Sequence, residues 1–261
     1  MISAIGGPTV ALMTIVILIA GTTNGLAGFG FALVGTMALA TVIDPAMAVV
    51  FMIIPILAVN LSLVRDLSRE ELRTCSRRFG PLIGAALVGT VVGMAVLSRI
   101  PTGPLRVGLG LLTLGFVATT QRRIPLPEWS SGGIGTFAQT RVGMVGVGGI
   151  SGLLFGGTNV GVQFIAYLRS FDLSHGLFVG VVALVFLGLN GIRVGVAGLL
   201  GLYPSRMLLL TSIVAAVPAV VGVTVGKRLR VTASERSRRL VVLGLLTFVG
   251  LRLVGGGLGL I

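Results

Sequence analysis

Any chemistry in this chain has to come from polar side chains set inside apolar runs. They are Thr22, Thr23, Asn24 and Asn60 in the first half and Thr158, Asn159, Gln163, Asn190 and Arg193 in the second. Eight are neutral hydroxyls or amides and one is a guanidinium, with no acid among them. Such a set suits the binding of a small anion, whose oxygens accept several hydrogen bonds, better than the binding of a cation. It is poorly suited to catalysis: the spans hold no paired acids, no Ser-His couple and no metal-ligand set, so an intramembrane enzyme is the least favoured class and no cofactor is expected. The acids Asp44, Asp66, Glu70, Glu71, Glu128, Asp172 and Glu235 all fall at loops or boundaries. The single Cys75 excludes an internal disulfide. A "GVGGISG" run at 146 to 152 echoes a dinucleotide fingerprint, but neither a preceding strand nor an acidic ribose ligand accompanies it.

The elements that carry these groups are membrane spans. With 54% hydrophobic and only 10% charged residues over 261 positions, a water-soluble domain could not cover its surface. Apolar runs recur from end to end, which predicts one integral membrane domain in the lipid bilayer, with the first run retained rather than cleaved as a signal. The formal charge of +13 does not indicate nucleic acid, because the cations sit in short loops. Residues 65 to 78 hold Arg65, Arg69, Arg73, Arg77 and Arg78, and residues 227 to 239 hold Lys227, Arg228, Arg230, Arg236, Arg238 and Arg239. This is the positive-inside pattern. Ten segments are predicted, at 8 to 22, 26 to 43, 45 to 64, 79 to 98, 104 to 120, 142 to 156, 160 to 171, 174 to 202, 206 to 225 and 240 to 259. Glycine, threonine and asparagine interrupt the first and second segments in "GTTNGLAGFG" and the sixth and seventh in "GGTNVG", so each pair reads as a broken hairpin.

Internal similarity predicts an all-α polytopic protein of two five-segment repeats, at about 8 to 120 and 142 to 260, joined by a linker at about 121 to 141. Gly89 and Gly93 align with Gly222 and Gly226, Thr113 with Thr247, Gly25 with Gly152, and Asn60 with Asn190. Loops in equivalent positions differ in charge: "GLYPSR" is nearly neutral where the first copy has five arginines, and "SRIPTGPLR" stands where the second copy has six cations. Equivalent loops facing opposite sides would explain this, making the repeats inverted and placing both termini outside. In such folds small polar groups at helix breaks bind substrate near the midplane, which predicts a site from the nine residues above at the interface of the two copies. The alternative reading stays open, that the glycines permit close helix packing and the hydroxyls bond back to their own helices. Arg193 stands one turn from Asn190, so both can face one cavity, whereas Arg252 is expected to snorkel.

The chain resembles the TauE/SafE family of sulfite exporters and related permeases. The resemblance rests on "NGLAGFGFALVGTMAL" in the first half and on "SGLLFGGTNVGVQFIAYL", "LGLNGIRVGVAGLLGLYPSRMLLL" and "AVVGVTVGKRLR" in the second. It departs from the family's usual Gly-Gly-Pro run, reading Thr158-Asn159-Val160-Gly161-Val162. The resemblance implies a plasma-membrane secondary transporter for small anions such as sulfite, sulfonates or related organic acids. An anion channel is the alternative. Coupling to a proton or sodium ion and assembly as a homo-oligomer stay open.

Overall fold

A computed structural model describes residues 7–27, 30–64, 79–97, 99–120, 140–169, 171, 175–229 and 234–260. Among these residues there is no strand, and eleven helices follow one another. They are α1 Gly7–Ala27, α2 Phe31–Ala40, α3 Pro45–Phe51, α4 Ile53–Val64, α5 Gly80–Leu97, α6 Thr102–Thr120, α7 Arg141–Thr158, α8 Val162–Arg169, α9 His175–Leu199, α10 Arg206–Leu229 and α11 Glu235–Gly257. The arginine-rich stretch 65 to 78 and most of the linker, 121 to 139, lie outside the described residues.

The exposed surface is unlike that of a water-soluble protein. Val10, Leu12, Ile15 and Ile19 on α1, and Met207, Leu210, Val214, Val217 and Val221 on α10, are exposed. Thr23, Asn24, Thr36, Asn60, Thr90, Ser151, Asn159, Asn190, Arg193 and Ser212 are buried. Leucine and valine facing outward with polar groups inward is the arrangement a bilayer demands, since hydrocarbon solvates the first and not the second. Among the described residues, five stretches are long and apolar enough to cross: Thr9–Leu26, Pro45–Ser62, Gly80–Leu97, Arg206–Leu229 and Leu240–Gly257. The second of these joins α3 and α4, which Pro55 divides by removing the N–H that would bond Phe51. By contrast α2, with 10 residues, and α8, with 8, extend only about 15 and 12 Å, half of a bilayer core or less. Each ends a broken hairpin, as the interrupted pairs predict.

The contacts divide the chain into two compact units, each drawing on both halves of the sequence. In the first unit, residues 1–59, 101–117 and 202–261, α1 packs along α10. A Cβ at Gly21 would stand 2.6 Å from the Ala219 carbonyl oxygen, and one at Gly25 would strike the Val223 carbonyl, so these backbones touch. Contacts of Leu18 with Gly222 and of Thr22 with Gly226 show that the two helices run parallel. Beside them α6 and α11 run antiparallel, with Gly110 against Gly250 and Gly103 against Gly257. Thr113 and Thr247, aligned by the internal similarity, each donate a 2.7 Å bond to the carbonyl four residues back.

In the second unit, residues 60–100 and 118–201, α5 packs along α7 in the same parallel sense. Gly148 meets Leu82, Gly152 meets Ala86 and Gly156 meets Thr90. The Thr90 hydroxyl donates to the Gly152 carbonyl at 3.2 Å. Around this seam Phe79, Phe155, Phe164, Tyr167, Phe171, Val185 and Leu189 form a core. The glycines at 89, 93, 222 and 226 are thus helix contacts, as expected of small residues spaced one turn apart in membrane helices.

These contacts revise the register of the two halves. Gly25 was aligned with Gly152, but α1 ends at Ala27 and α7 at Thr158, while α2 begins at Phe31 and α8 at Val162. A constant offset of 131 superposes both boundaries, setting Gly21 with Gly152, Gly25 with Gly156 and Gly30 with Gly161. This offset differs by one helical turn from the pairing of Gly25 with Gly152, and glycines four apart satisfy either alignment.

Candidate functional site

With segments at 8 to 22 and 26 to 43, the stretch "GTTNGLAGFG" is expected to interrupt the helix at 23 to 25. Instead α1 continues through these residues to Ala27, and α2 starts at Phe31 after Gly30, whose φ of 99° only glycine adopts readily. The helix survives its polar residues because they serve its own backbone. The Thr22 hydroxyl donates to the Leu18 carbonyl and the Thr23 hydroxyl to the Ile19 carbonyl, both at 2.8 Å. Asn24 does something different. Its Oδ1 accepts from the Phe31 N–H at 3.2 Å, so the last turn of α1 caps the first turn of α2 across the break.

The second break is built from different side chains. Asn159 ends α7 in the left-handed conformation, φ 59°, and is the only non-glycine with positive φ among the described residues. Asparagine tolerates this conformation better than other side chains. The Thr158 hydroxyl donates to Leu154 O at 2.6 Å and accepts from Val160 N–H at 3.1 Å, closing the turn. Gln163, in the first turn of α8, reaches back with its amide nitrogen to Ser151 O at 3.1 Å and Val160 O at 2.7 Å.

With the Val160 N–H directed to Thr158, the Gly156 carbonyl of α7's last turn loses the donor that a continuing helix would supply. Arg193 Nη2 donates to it from α9, at 3.4 Å. Arg193 Nη1 donates to Asn190 Oδ1 at 3.2 Å, and Asn190 Nδ2 in turn donates to Phe186 O at 2.8 Å. The guanidinium carbon lies 5.0 Å from the centroid of the Phe155 ring, within cation-π range. Both Arg193 and Asn190 are 0% exposed. The cation is therefore held by an amide, a peptide carbonyl at the negative end of a helix and the face of an aromatic ring.

The nine sequence-selected residues thus divide. Thr22, Thr23 and Asn24 belong to the first unit, where the hydroxyls are turned to their own helix and Asn24 caps its neighbour. Asn60 is buried in α4 and falls with the second unit. Thr158, Asn159, Gln163, Asn190 and Arg193 gather around the α7–α8 break. Sequence reasoning missed Phe155 and the Ser151 and Gly156 carbonyls. A carbonyl leaves no trace in the sequence, and a phenylalanine in an apolar run looks like any core residue. Among the described residues no group of three His, Cys, Asp or Glu side chains could hold a metal.

A family model described as Sulfite exporter TauE/SafE matches residues 13–253, from the second turn of α1 to the last turns of α11. No curated protein and no solved structure matches the chain. A family match over nearly the whole chain, apolar helices long enough to span, and polar groups turned inward lead to one conclusion: the chain belongs to the sulfite exporter TauE/SafE family of multi-pass membrane transporters.

Proposed function

We propose that this protein is a secondary transporter of small anions, with sulfite, sulfonates and related organic acids as the substrate class. The observation that carries this reading is the fully buried Arg193, fixed at the α7–α8 break by Asn190 and the Gly156 carbonyl. An arginine within a span costs about 2.5–3.5 kcal/mol on insertion scales, so one retained at a helix break marks a substrate path by default. The N-terminus of α8 adds positive potential at the same break. An oxyanion arriving there would meet guanidinium N–H groups already oriented by Asn190, with the Asn159 and Gln163 amides on the adjoining turn.

The two parallel glycine seams support transport by alternating access in a fold built of two inverted repeats. Each joins the first helix of one half to the fourth helix of the other, and the common offset of 131 relates the breaks. Rigid seams of this kind let a unit move as one body around a fixed break. The plasma membrane and external termini belong to the same proposal. The test is flux in liposomes: accumulation of sulfite or a sulfonate that saturates, shows counterflow and falls at least tenfold in Arg193→Gln is expected. Stabilisation of the purified protein by polyamines and by none of sulfite, sulfonates or carboxylates would overturn the reading.

A further inference from the structure

A cationic cavity lies apart from the break, in the first unit. It has a volume of about 610 Å3 and is lined by Thr41, Arg106, Phe248, Leu251, Arg252 and Gly256, among others. Arg106 stands one turn inside the start of α6 and Arg252 five residues before the end of α11, so each lies about 6 to 8 Å from its helix end. Both ends are on one side of this unit. Thr102, the first residue of α6, donates to Asp44 Oδ2 at 3.0 Å in the turn after α2, and Gly103 packs on Gly257. The cavity is therefore at the depth where a bilayer changes from hydrocarbon to headgroup.

Its chemistry is divided. Arg106 and Arg252 supply the charged part, and the buried Nε of Arg106 has no hydrogen-bond partner among the described residues. Asp44, the acid nearest in the fold, accepts from Thr102 and the N-terminus of α3 and does not line the cavity. The apolar part opens outward: Phe248 is 63% exposed and Leu251 59% exposed, on the face that meets lipid. A free inorganic anion would use the arginines and leave the apolar wall idle. A molecule with a phosphate on one end and acyl chains on the other uses both.

We propose that this cavity binds the headgroup of an anionic phospholipid, with the phosphate between Arg106 and Arg252 and the first acyl carbons over Phe248 and Leu251. Planar guanidiniums match a phosphate through paired N–H donors, which lysine could not reproduce.

Native mass spectrometry of the purified, detergent-solubilised protein tests this with dioleoyl phosphatidylglycerol against dioleoyl phosphatidylcholine. The tightest site is expected to prefer the anionic lipid by about tenfold or more, the order that two interfacial arginines supply. The preference should disappear in R106Q/R252Q and persist in K227Q/R228Q, which removes two exposed cations outside the cavity. Equal binding of the two lipids to the unsubstituted protein overturns the proposal without any variant. So does a preference that R106Q/R252Q retains. If inorganic phosphate or sulfite displaces the lipid at millimolar concentration, the cavity is a free-anion subsite and the lipid assignment falls.

Discussion

The Ser212 hydroxyl donates a 2.6 Å hydrogen bond to the carbonyl of Phe51, the acceptor that Pro55 leaves without its helical N–H. Both residues are buried in the first unit, so α10 completes a backbone bond that α3 and α4 cannot make for themselves. Ser212→Ala is expected to lower stability by about 0.6–1.7 kcal/mol, the range for hydrogen bonds between membrane helices. In a Pro55→Leu background the restored N–H satisfies Phe51, and the same substitution should cost much less. Thermal melts of the four proteins form the cycle; strictly additive effects would mean that the bond does not compensate the proline.

The glycine seams predict a sharp contrast between similar substitutions. Gly25→Leu and Gly156→Leu each drive a side chain into a facing backbone and should cost at least the 1–3 kcal/mol typical of overpacking. Gly84→Leu and Gly146→Leu, on the same helices as the second seam but facing open space, should express and melt like the parent. Comparable loss at all four positions would contradict the seams.

At the break, Arg193 serves both the Gly156 carbonyl and, under the proposed function, the substrate. Arg193→Lys keeps the charge but not the fork that spans Asn190 and Gly156, so transport should fall more than tenfold while anion selectivity survives. Asn190→Ala frees the guanidinium on one side and is expected to raise KM more than it lowers maximal flux. If Asn60→Ala, Asn190→Ala and Arg193→Gln all fold and transport normally, the substrate path lies elsewhere.

Parallel packing of α1 on α10 requires the start of α1 and the turn at 200 to 205 to share one side, with Lys227 and Arg228 on the other. Cysteine labelling in a Cys75→Ser background should therefore modify residue 7 and residue 204 from outside. Positions in 65 to 78 and 227 to 239 should label from the cytoplasm. Labelling of the two basic stretches from opposite sides would refute the inverted arrangement.

Sequence by itself determined the solvent, the spans and the existence of two broken hairpins, because these depend on the length of apolar runs and on residues that interrupt them locally. It also marked Asn190 and Arg193 as one turn apart on a single helix face. Tertiary structure decided where the first break falls, since Thr22 and Thr23 can close bonds within a helix as readily as they can end one. Glycines four apart recur every turn, so alignments of the halves that differ by a turn are equivalent in the sequence, and only boundaries such as Ala27 and Thr158 distinguish them. The partner of each glycine face, Gly25 on α10 and Gly156 on α5, is a contact between residues far apart in the chain, and in a sequence of leucine, valine and glycine many faces look alike. Arg193 shows the same limit. Its charge is written in the sequence, but the carbonyl it satisfies exists only because α7 stops where it does, 37 residues away.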